Sequence, residues 1–243
     1  RLPERPPETK GKTTKARAPV PGGRSAIPDT RMAQFFEVHP ENPQPRSIRA
    51  AVDIMKAGGV IAYPTDSCYA LGCRIGDKAA MERIRRIRNV DERHHLTLMC
   101  RDLSEVGQFA KVDNIQYRLI KANTPGNYTF ILKASRDVPR RLLHPRHTIG
   151  VRIPDHPVPL ALIAELGEPM LSSTLILPDH GVALNDAEEI RSYLDHALDG
   201  IFDSGACGLD VTTVIDISGD KPVLLREGKG DIRPFGFVKT ALH

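Results

Sequence analysis

The chain has 243 residues and is 40% hydrophobic, so it is long enough for one large domain or two small ones with a core. Its formal net charge of +4 is misleading, because residues 1–31 hold eight Lys/Arg against three Asp/Glu and the remainder holds 26 against 27. A generally basic nucleic-acid-binding domain is therefore excluded, and any RNA-binding surface must be a local patch.

The four cysteines, Cys68, Cys73, Cys100 and Cys207, form no Cys-x-x-Cys pair. This pattern favours reduced thiols in a cytoplasmic protein over a disulfide framework or a metal site. No apolar run approaches the ~20 residues of a membrane span, so no membrane partner is expected.

Residues 1–31 hold six prolines and almost no large apolar side chains. Such a segment cannot bury enough surface to order itself. We interpret it as a disordered basic extension or an artefact of expression or upstream translation, with the folded domain at residues 32–243. A basic arm that touches RNA is the alternative.

Apolar periodicity and helix-capping residues predict alternating strands and helices. Asp77 is a predicted N-cap. The predicted strands are 35–38, 60–63, 96–100, 124–132, 149–154, 170–177, 201–204, 213–217 and 223–226, and the predicted helices are 45–57, 77–88, 103–109, 114–122, 158–166 and 187–194. This alternation predicts a single α/β domain with a twisted, largely mixed open sheet and helices packed on it.

The stretch 58–72 (GGVIAYPTDSCYALG) predicts a strand ended by Pro64, which has no N–H for a sheet ladder. Thr65, Asp66 and Ser67 follow where the chain leaves the sheet. Ligands of open α/β sheets bind beyond strand ends, so these residues are a candidate site edge. An ordinary turn capped by short polar side chains is the alternative.

Four arginines are candidates for anion binding. Arg86 and Arg88 end a predicted helix and diverge around its axis, and complementing the helix dipole is their simpler role. Arg152 lies in an apolar strand, where a buried guanidinium needs an anionic partner. Arg226 similarly follows an apolar run.

His94 and His95 are adjacent, which is poor metal-ligand spacing, and we expect them to be exposed loop residues. The sequence contains no P-loop, G-x-G-x-x-G, H-E-x-x-H or G-x-S-x-G motif. A generic nucleotide-binding fold is not indicated.

A series of segments in fixed order resembles motifs of the YrdC-like family, whose members make threonylcarbamoyl-AMP for tRNA modification. The resemblance spans residues 35–232 and is strongest to the YciO branch. The segments are PTDSCYALG at 64–72 (similar to P-T-D-T-x-Y-G-L), RIR at 86–88 (Lys-x-Arg), TPGNYT at 124–129 (P-G-P-x-T), VRIPDH at 151–156 (V-R-x-P-x-H), TTVID at 212–216 (S-T-V-V-D) and LREG at 225–228 (L-R-x-G).

The resemblance implies a positively lined concave cavity where ATP, threonine and bicarbonate meet. It assigns threonine or substrate binding to Thr65, Tyr69, Thr129, Arg152 and Thr174. It assigns nucleotide or RNA binding to Arg86, Arg88, Ser172, Thr212 and Arg226. Mg²⁺ would arrive with ATP or AMP, and no protein-bound metal and no particular catalytic residue is implied. Fixed guanidiniums and hydroxyls suit the charges of such a reaction.

Two departures from the family pattern bear on activity. Ile176 stands where the family's S-T-S-A-N segment has Asn, and Asn127 replaces the second proline of P-G-P. An alkyl group cannot make the hydrogen bonds of an amide. We therefore expect weak synthase activity.

The leading hypothesis is a nucleotide- and RNA-binding protein in tRNA threonylcarbamoyl-adenosine chemistry. It would be an L-threonylcarbamoyladenylate synthase-like nucleotidyltransferase with weak forward activity, or one that runs in reverse. The expected partners are tRNA or structured RNA, with threonine, bicarbonate and ATP as small molecules. The alternatives are a non-catalytic double-stranded RNA- or tRNA-binding protein that retains the cavity, and a bare nucleotide-binding regulator.

We predict that residues 1–31 are dispensable for folding and ligand binding, because their composition supports no core. A chain starting at Met32 should have the melting temperature of the full chain within error. A large loss of thermal stability would contradict this prediction.

Overall fold

The computed structural model describes residues 32–238, and the predicted extension at 1–31 lies outside them. The described residues form an 11-stranded mixed open sheet with helices packed on it. The strands are β1 (Gln34–Glu37), β2 (Ile61–Tyr63), β3 (Ala70–Arg74), β4 (Thr97–Met99), β5 (Ala110–Lys111), β6 (Tyr128–Ala134), β7 (Thr148–Arg152), β8 (Met170–Thr174), β9 (Gly200–Asp203), β10 (Thr213–Asp216) and β11 (Val223–Arg226). The predicted α/β class and open mixed sheet are confirmed.

The strand order is β1-β9-β2-β3-β8-β4-β7-β6-β10-β11, with β5 paired to β6. Strand β8 is antiparallel to both of its neighbours, β3 and β4, whereas β4 and β7 are parallel. Distant segments of the chain therefore lie side by side at the centre of the sheet. The loop that precedes β3 meets β8 and β7 there, although about a hundred residues separate them in the sequence.

Helices cover both faces of the sheet. Their bounds are α1 (Pro45–Lys56), α2 (Lys78–Arg88), α3 (Leu103–Phe109), α4 (Asn114–Asn123), α5 (Pro157–Leu166) and α6 (Ala187–Leu194). Along β2, Ile61 and Tyr63 join the core under α1 and α5, while Ala62 joins the core on the opposite face. A strand covered on both sides is continuously apolar, which explains the unbroken apolar run from which this strand was predicted.

The predicted elements are found with small changes in their ends. Strands β3 and β5 were not predicted, because β3 has no turn signal of its own and β5 has only two residues. The strand predicted at 170–177 ends at Thr174. No helix among the described residues is both long and apolar enough to cross a membrane.

Helix α2 places Arg88 at the site. The Asp77 side chain accepts a hydrogen bond from the Ala80 N–H at 2.9 Å, so the predicted N-cap is confirmed. Asn89 ends the helix in the left-handed conformation at φ 49°. Ala80, Met81 and Ile84 are buried as predicted, but the fourth buried position is Arg85 and not Ile87.

Candidate active site

A small cavity lies where the loop after β2 meets β4, β7 and β8, and its volume is about 20 Å³. The loop contributes Thr65, Ser67 and Cys68, and the strands contribute Arg152 and Ser172. The edge predicted from the sequence therefore borders a cavity. This volume holds about one water molecule, so a larger ligand would enter only if the walls moved apart.

Hydrogen bonds within the loop fix its polar side chains. Thr65 Oγ1 donates to the Cys68 carbonyl at 2.7 Å and accepts from the Ser67 N–H at 3.1 Å. Ser67 Oγ lies 3.0 Å from Thr65 Oγ1. The loop is therefore both a turn capped by short polar side chains and the edge of a cavity.

Arg152 and Asp66 form a buried ion pair beside this cavity, with Arg152 Nη2 2.7 Å from Asp66 Oδ1 and side chains only 7% and 10% exposed. Arg152 Nη1 also donates to Ser67 Oγ at 3.2 Å. The Lys229 Nζ donates to the Asp66 carbonyl at 2.8 Å. The Asn127 amide, oriented with its nitrogen toward Asp66, donates to Oδ2 at 3.2 Å. The predicted anionic partner of Arg152 is therefore Asp66.

A larger cavity of about 290 Å³ adjoins the first. Arg88, His94, His95 and Arg226 belong to it alone, and the two cavities share the lining residues Thr97, Thr129, Ser173, Thr174 and Thr212. Because one wall of hydroxyl groups serves both cavities, ligands bound in them would be neighbours.

Hydrogen bonds hold Arg88 and Arg226 of the larger cavity against this shared wall. Arg88 Nη1 donates to Ser173 Oγ at 2.9 Å and to the Thr174 carbonyl. Arg226 donates from Nε and Nη2 to the Thr212 carbonyl at 3.0 and 2.9 Å. Thr212 Oγ1 lies 3.0 Å from Thr129 Oγ1. The guanidiniums are therefore fixed before any ligand arrives.

The walls of the two cavities carry arginines, histidines and hydroxyl groups but no carboxylate among the described residues. Burial, together with the nearby positive charge of Arg226, lowers the pKa of Arg88 to about 10. The Nε atoms of Arg88 and Arg152 have no hydrogen-bond partner among the described residues. Unsatisfied donors and uncompensated positive charge both favour anionic ligands.

The two histidines are half-buried and line the larger cavity, so the expectation that they are exposed loop residues was wrong. Burial lowers the pKa of His94 to about 4, with further lowering by Arg88 and Arg226. Burial likewise lowers the pKa of His95 to about 4. His95 Nε2 lies 2.9 Å from Thr148 Oγ1. The loop after α2 folds inward over the sheet, which the polar sequence around the pair did not signal.

The structure brings together all of the predicted site residues except Arg86, which is exposed and lines neither cavity. Tyr69 borders the small cavity, and its hydroxyl donates to the Gly205 carbonyl at 3.0 Å. Ile176 follows the end of β8, is half-buried and lines neither cavity. Residues that sequence reasoning missed are Thr97, Ser173, His94, His95 and Lys229.

The chemistry of these walls fits a phosphate-bearing ligand better than a resident metal. Two fixed guanidiniums and a row of hydroxyls match phosphate oxygens. Among the described residues, no group of three or more His, Cys, Asp or Glu is arranged to hold a metal ion. Mg²⁺ bound with a nucleotide would be held by phosphate and water, which needs no protein cage.

The open mixed sheet with helices packed on it is the α/β fold of the Sua5 and YciO structures that this chain matches. The family model Sua5_yciO_yrdC, described as "Telomere recombination", matches residues 53–228. The chain belongs to this Sua5/YciO/YrdC family.

Three relatives place the chain within the family. YciO of Escherichia coli K12 is 56% identical over 205 residues, covering 84% of this chain and all of the relative, and its crystal structure matches with a TM-score of 0.82. Threonylcarbamoyl-AMP synthase of Bacillus subtilis is 31% identical over 79% of this chain and 55% of its own length. P. abyssi Sua5 complexed with L-threonine is 27% identical over 80% of this chain and 57% of its own, with a TM-score of 0.74.

We predict that Arg152→Met lowers the free energy of unfolding by about 3–5 kcal/mol, because it leaves the Asp66 carboxylate buried without its partner. Adding Asp66→Asn should recover part of this loss. Urea unfolding of the single and double variants measures both effects. Arg74→Met is the control, because it removes an exposed ion pair with Glu168 and should cost at most about 1 kcal/mol. Equal losses for the exposed and buried arginines would contradict the prediction.

We predict that stability falls as the pH drops from about 6.5 to about 4. The unfolded chain binds protons on His94 and His95 near their ordinary pKa of about 6.5, whereas the folded chain holds both pKa values at about 4. Their contribution is therefore complete above pH 6.5 and is lost on acidification. Replacing both by Gln should flatten the decline in urea-unfolding free energy, whereas the exposed His196→Gln should not. Parallel pH profiles for all three proteins would refute the assignment.

Proposed function

We propose that the chain binds L-threonine at the small cavity, whose walls must move apart to admit it, and an adenine nucleotide in the larger one, and that it acts on threonylcarbamoyl-AMP in tRNA modification. The observation that carries this proposal is the shared wall of Thr97, Thr129, Ser173, Thr174 and Thr212 between two cation-lined cavities. Kinship with threonylcarbamoyl-AMP synthases and with the threonine-bound Sua5 supports it.

The chemistry of the ligands agrees with the charges. Threonine brings a carboxylate, and the Ser67 hydroxyl and Arg152, whose Nε has no partner among the described residues, offer it donors. Arg88 and Arg226 would hold the phosphates. In the synthase direction, a carbamate oxygen of N-carboxythreonine attacks the α-phosphorus, a P–O bond forms, and the bond to pyrophosphate breaks. Arginines fixed in advance stabilise the charge that spreads over the phosphoryl oxygens in that step.

The neutral His94 is a titratable group on the larger cavity's wall, and the charges of Arg88 and Arg226 help to lower its pKa. The arriving phosphate would raise its proton affinity, because an anion stabilises the imidazolium. Among the described residues, no carboxylate lines either cavity to compete with it as a base. The proposal assigns binding roles to the arginines and leaves proton transfer to this histidine or to solvent.

Weak forward synthesis stays an expectation from the sequence departures at Ile176 and Asn127, although Ile176 lines neither cavity and so removes no ligand contact there. A site that stabilises one transition state accelerates both directions of a reaction. The same arrangement therefore supports consumption of a threonylcarbamoyl adduct as well as its formation. The proposed macromolecular partner is tRNA or another structured RNA.

The test compares Arg88→Ala and Arg226→Ala with Arg86→Ala, which removes the same charge from the exposed side of the same helix end as Arg88. Calorimetry should show AMP affinity reduced by roughly tenfold to a hundredfold for the first two, since a hydrogen bond to a charged group contributes about 1.5–3 kcal/mol. Arg86→Ala should leave AMP affinity unchanged. Equal effects of all three would overturn the assignment of the larger cavity.

Pyrophosphate release from ATP, threonine and bicarbonate then separates an enzyme from a binding protein. Slow release that requires threonine supports the synthase reaction, and AMP formed from threonylcarbamoyl-adenylate supports the reverse use of the site. Ligand binding without turnover in either direction would favour a non-catalytic RNA-binding protein that retains the cavity.

A further inference from the structure

A second basic region lies outside both cavities. Residues 133–147 (KASRDVPRRLLHPRH) carry five Lys/Arg against a single Asp, a net charge of +4, within a body that is otherwise acidic. The segment spans the end of β6, a 3₁₀ turn at Arg140–Leu142 and the approach to β7. Part of it forms a groove lined by Lys111, Ser135, Arg136, Arg140, His144 and His147, which we call the basic groove.

The positive charge of residues 133–147 is largely uncompensated. Of Lys133, Arg136, Arg140 and Arg146, only Arg146 has an ion-pair partner among the described residues, Asp216 at 3.2 Å. The lysine and the other two arginines are exposed. Arg136 and Arg140 line the basic groove, whose lining also includes the apolar Ala134, Val138, Leu143 and Pro145. Exposed cations without ion-pair partners contribute little to stability, so ion pairing within the fold does not explain them.

The pairing of β5 with β6 also places two positive charges side by side. Strands β5 and β6 are antiparallel, and Lys111 lies directly opposite Lys133. Like charges at directly opposite positions destabilise a strand pair. A two-residue strand with such a pair is a poor choice for stability, and this points to selection for positive charge on that surface.

The groove is rigid. The His147 N–H donates to the His144 carbonyl at 2.8 Å, the His144 N–H to the Thr148 carbonyl at 3.2 Å, and the Ala134 N–H to the His147 carbonyl at 2.9 Å. His147 adopts the left-handed conformation at φ 56°, which is uncommon for a residue with a Cβ. These bonds hold the turn, so a ligand would meet a surface that is already formed.

The basic groove adjoins the larger cavity through one pair of rings. His144 of the groove stacks on His95 of the cavity wall, with ring centroids 4.1 Å apart and an angle of 11° between the planes. Because one of the two stacked rings lines each surface, the basic groove and the larger cavity meet at this pair of histidines. A polymer bound along the basic groove would therefore be able to place its next monomer in the larger cavity.

We propose that the basic groove binds the phosphate backbone of a structured RNA and so presents one nucleotide to the larger cavity. The inference rests on the proposed function for its RNA partner, but it assigns RNA contact to a surface that Arg86 and Arg88 do not form. Unpaired cations in a row match a polyphosphate backbone. A membrane surface fits less well, because none of the exposed large apolar side chains among the described residues lies in 133–147.

The experiment measures binding of bulk deproteinised tRNA to the full chain across a range of salt concentrations. Arg136→Ala/Arg140→Ala should lower the affinity roughly tenfold and make the slope of log affinity against log salt shallower by about two. Arg46→Ala/Arg49→Ala is the matched control, because it removes the same charge from exposed positions on α1 and should change neither quantity. Melting temperatures establish that both double variants remain folded.

Two further measurements separate this inference from the proposed function. AMP affinity should be unchanged in Arg136→Ala/Arg140→Ala, since neither side chain lines the larger cavity. If tRNA binding is unaffected by this variant, or falls equally in the control, the basic groove is not the RNA surface, whatever AMP does. Stronger binding to vesicles of equal parts phosphatidylserine and phosphatidylcholine than to tRNA, lost in the same variant, would also overturn the proposal. Loss of AMP binding in Arg226→Ala bears on the proposed function alone.

Discussion

The site depends on the buried ion pair between Arg152 and Asp66. A guanidinium inside a strand and a carboxylate in a loop are each costly to bury, and they compensate each other only when the loop after β2 lies against β7. This pairing ties together residues 86 positions apart in the chain. Lys229 binds the backbone carbonyl of Asp66 and Asn127 binds its carboxylate, so three distant parts of the chain converge on one aspartate. Asn127 is one of the two departures from the family pattern, and its contact with Asp66 gives that departure a structural role.

The mixed sheet makes this convergence possible. Because β8 runs antiparallel between β3 and β4, its hydroxyl residues face the loop after β2 on one side and Arg88 from α2 on the other. The wall formed in this way separates a small cavity from a large one and belongs to both. A purely parallel sheet would place such loops at one edge, whereas this arrangement puts a binding surface near the middle of the sheet. The proposed meeting of an amino acid with a nucleotide follows from that shared wall.

The two histidines and Arg86 show where local patterns mislead. A polar loop containing His94 and His95 has the composition of an exposed connection, and only the path of the chain after Asn89 turns it over the larger cavity. Arg86 and Arg88 stand two residues apart with the same chemistry. Helix geometry sends them in different directions, and the packing of α2 decides that Arg88 is the one facing Ser173. The motif at residues 86–88 indicated both arginines as candidates, but it could not show which of the two lines the cavity.

The amino-acid sequence by itself determined the order of strands and helices, the α/β class and the resemblance to a family, because apolar periodicity, capping residues such as Asp77 and short motifs are local properties of the chain. It also indicated that a buried Arg152 needs an anion. Only the tertiary structure decided that the anion is Asp66, that two cavities share a wall, that the histidines are buried, and that His144 joins a basic surface to the site. These are contacts between residues far apart in sequence, and they exist because burial and hydrogen bonding fix the strand order, which no local pattern encodes.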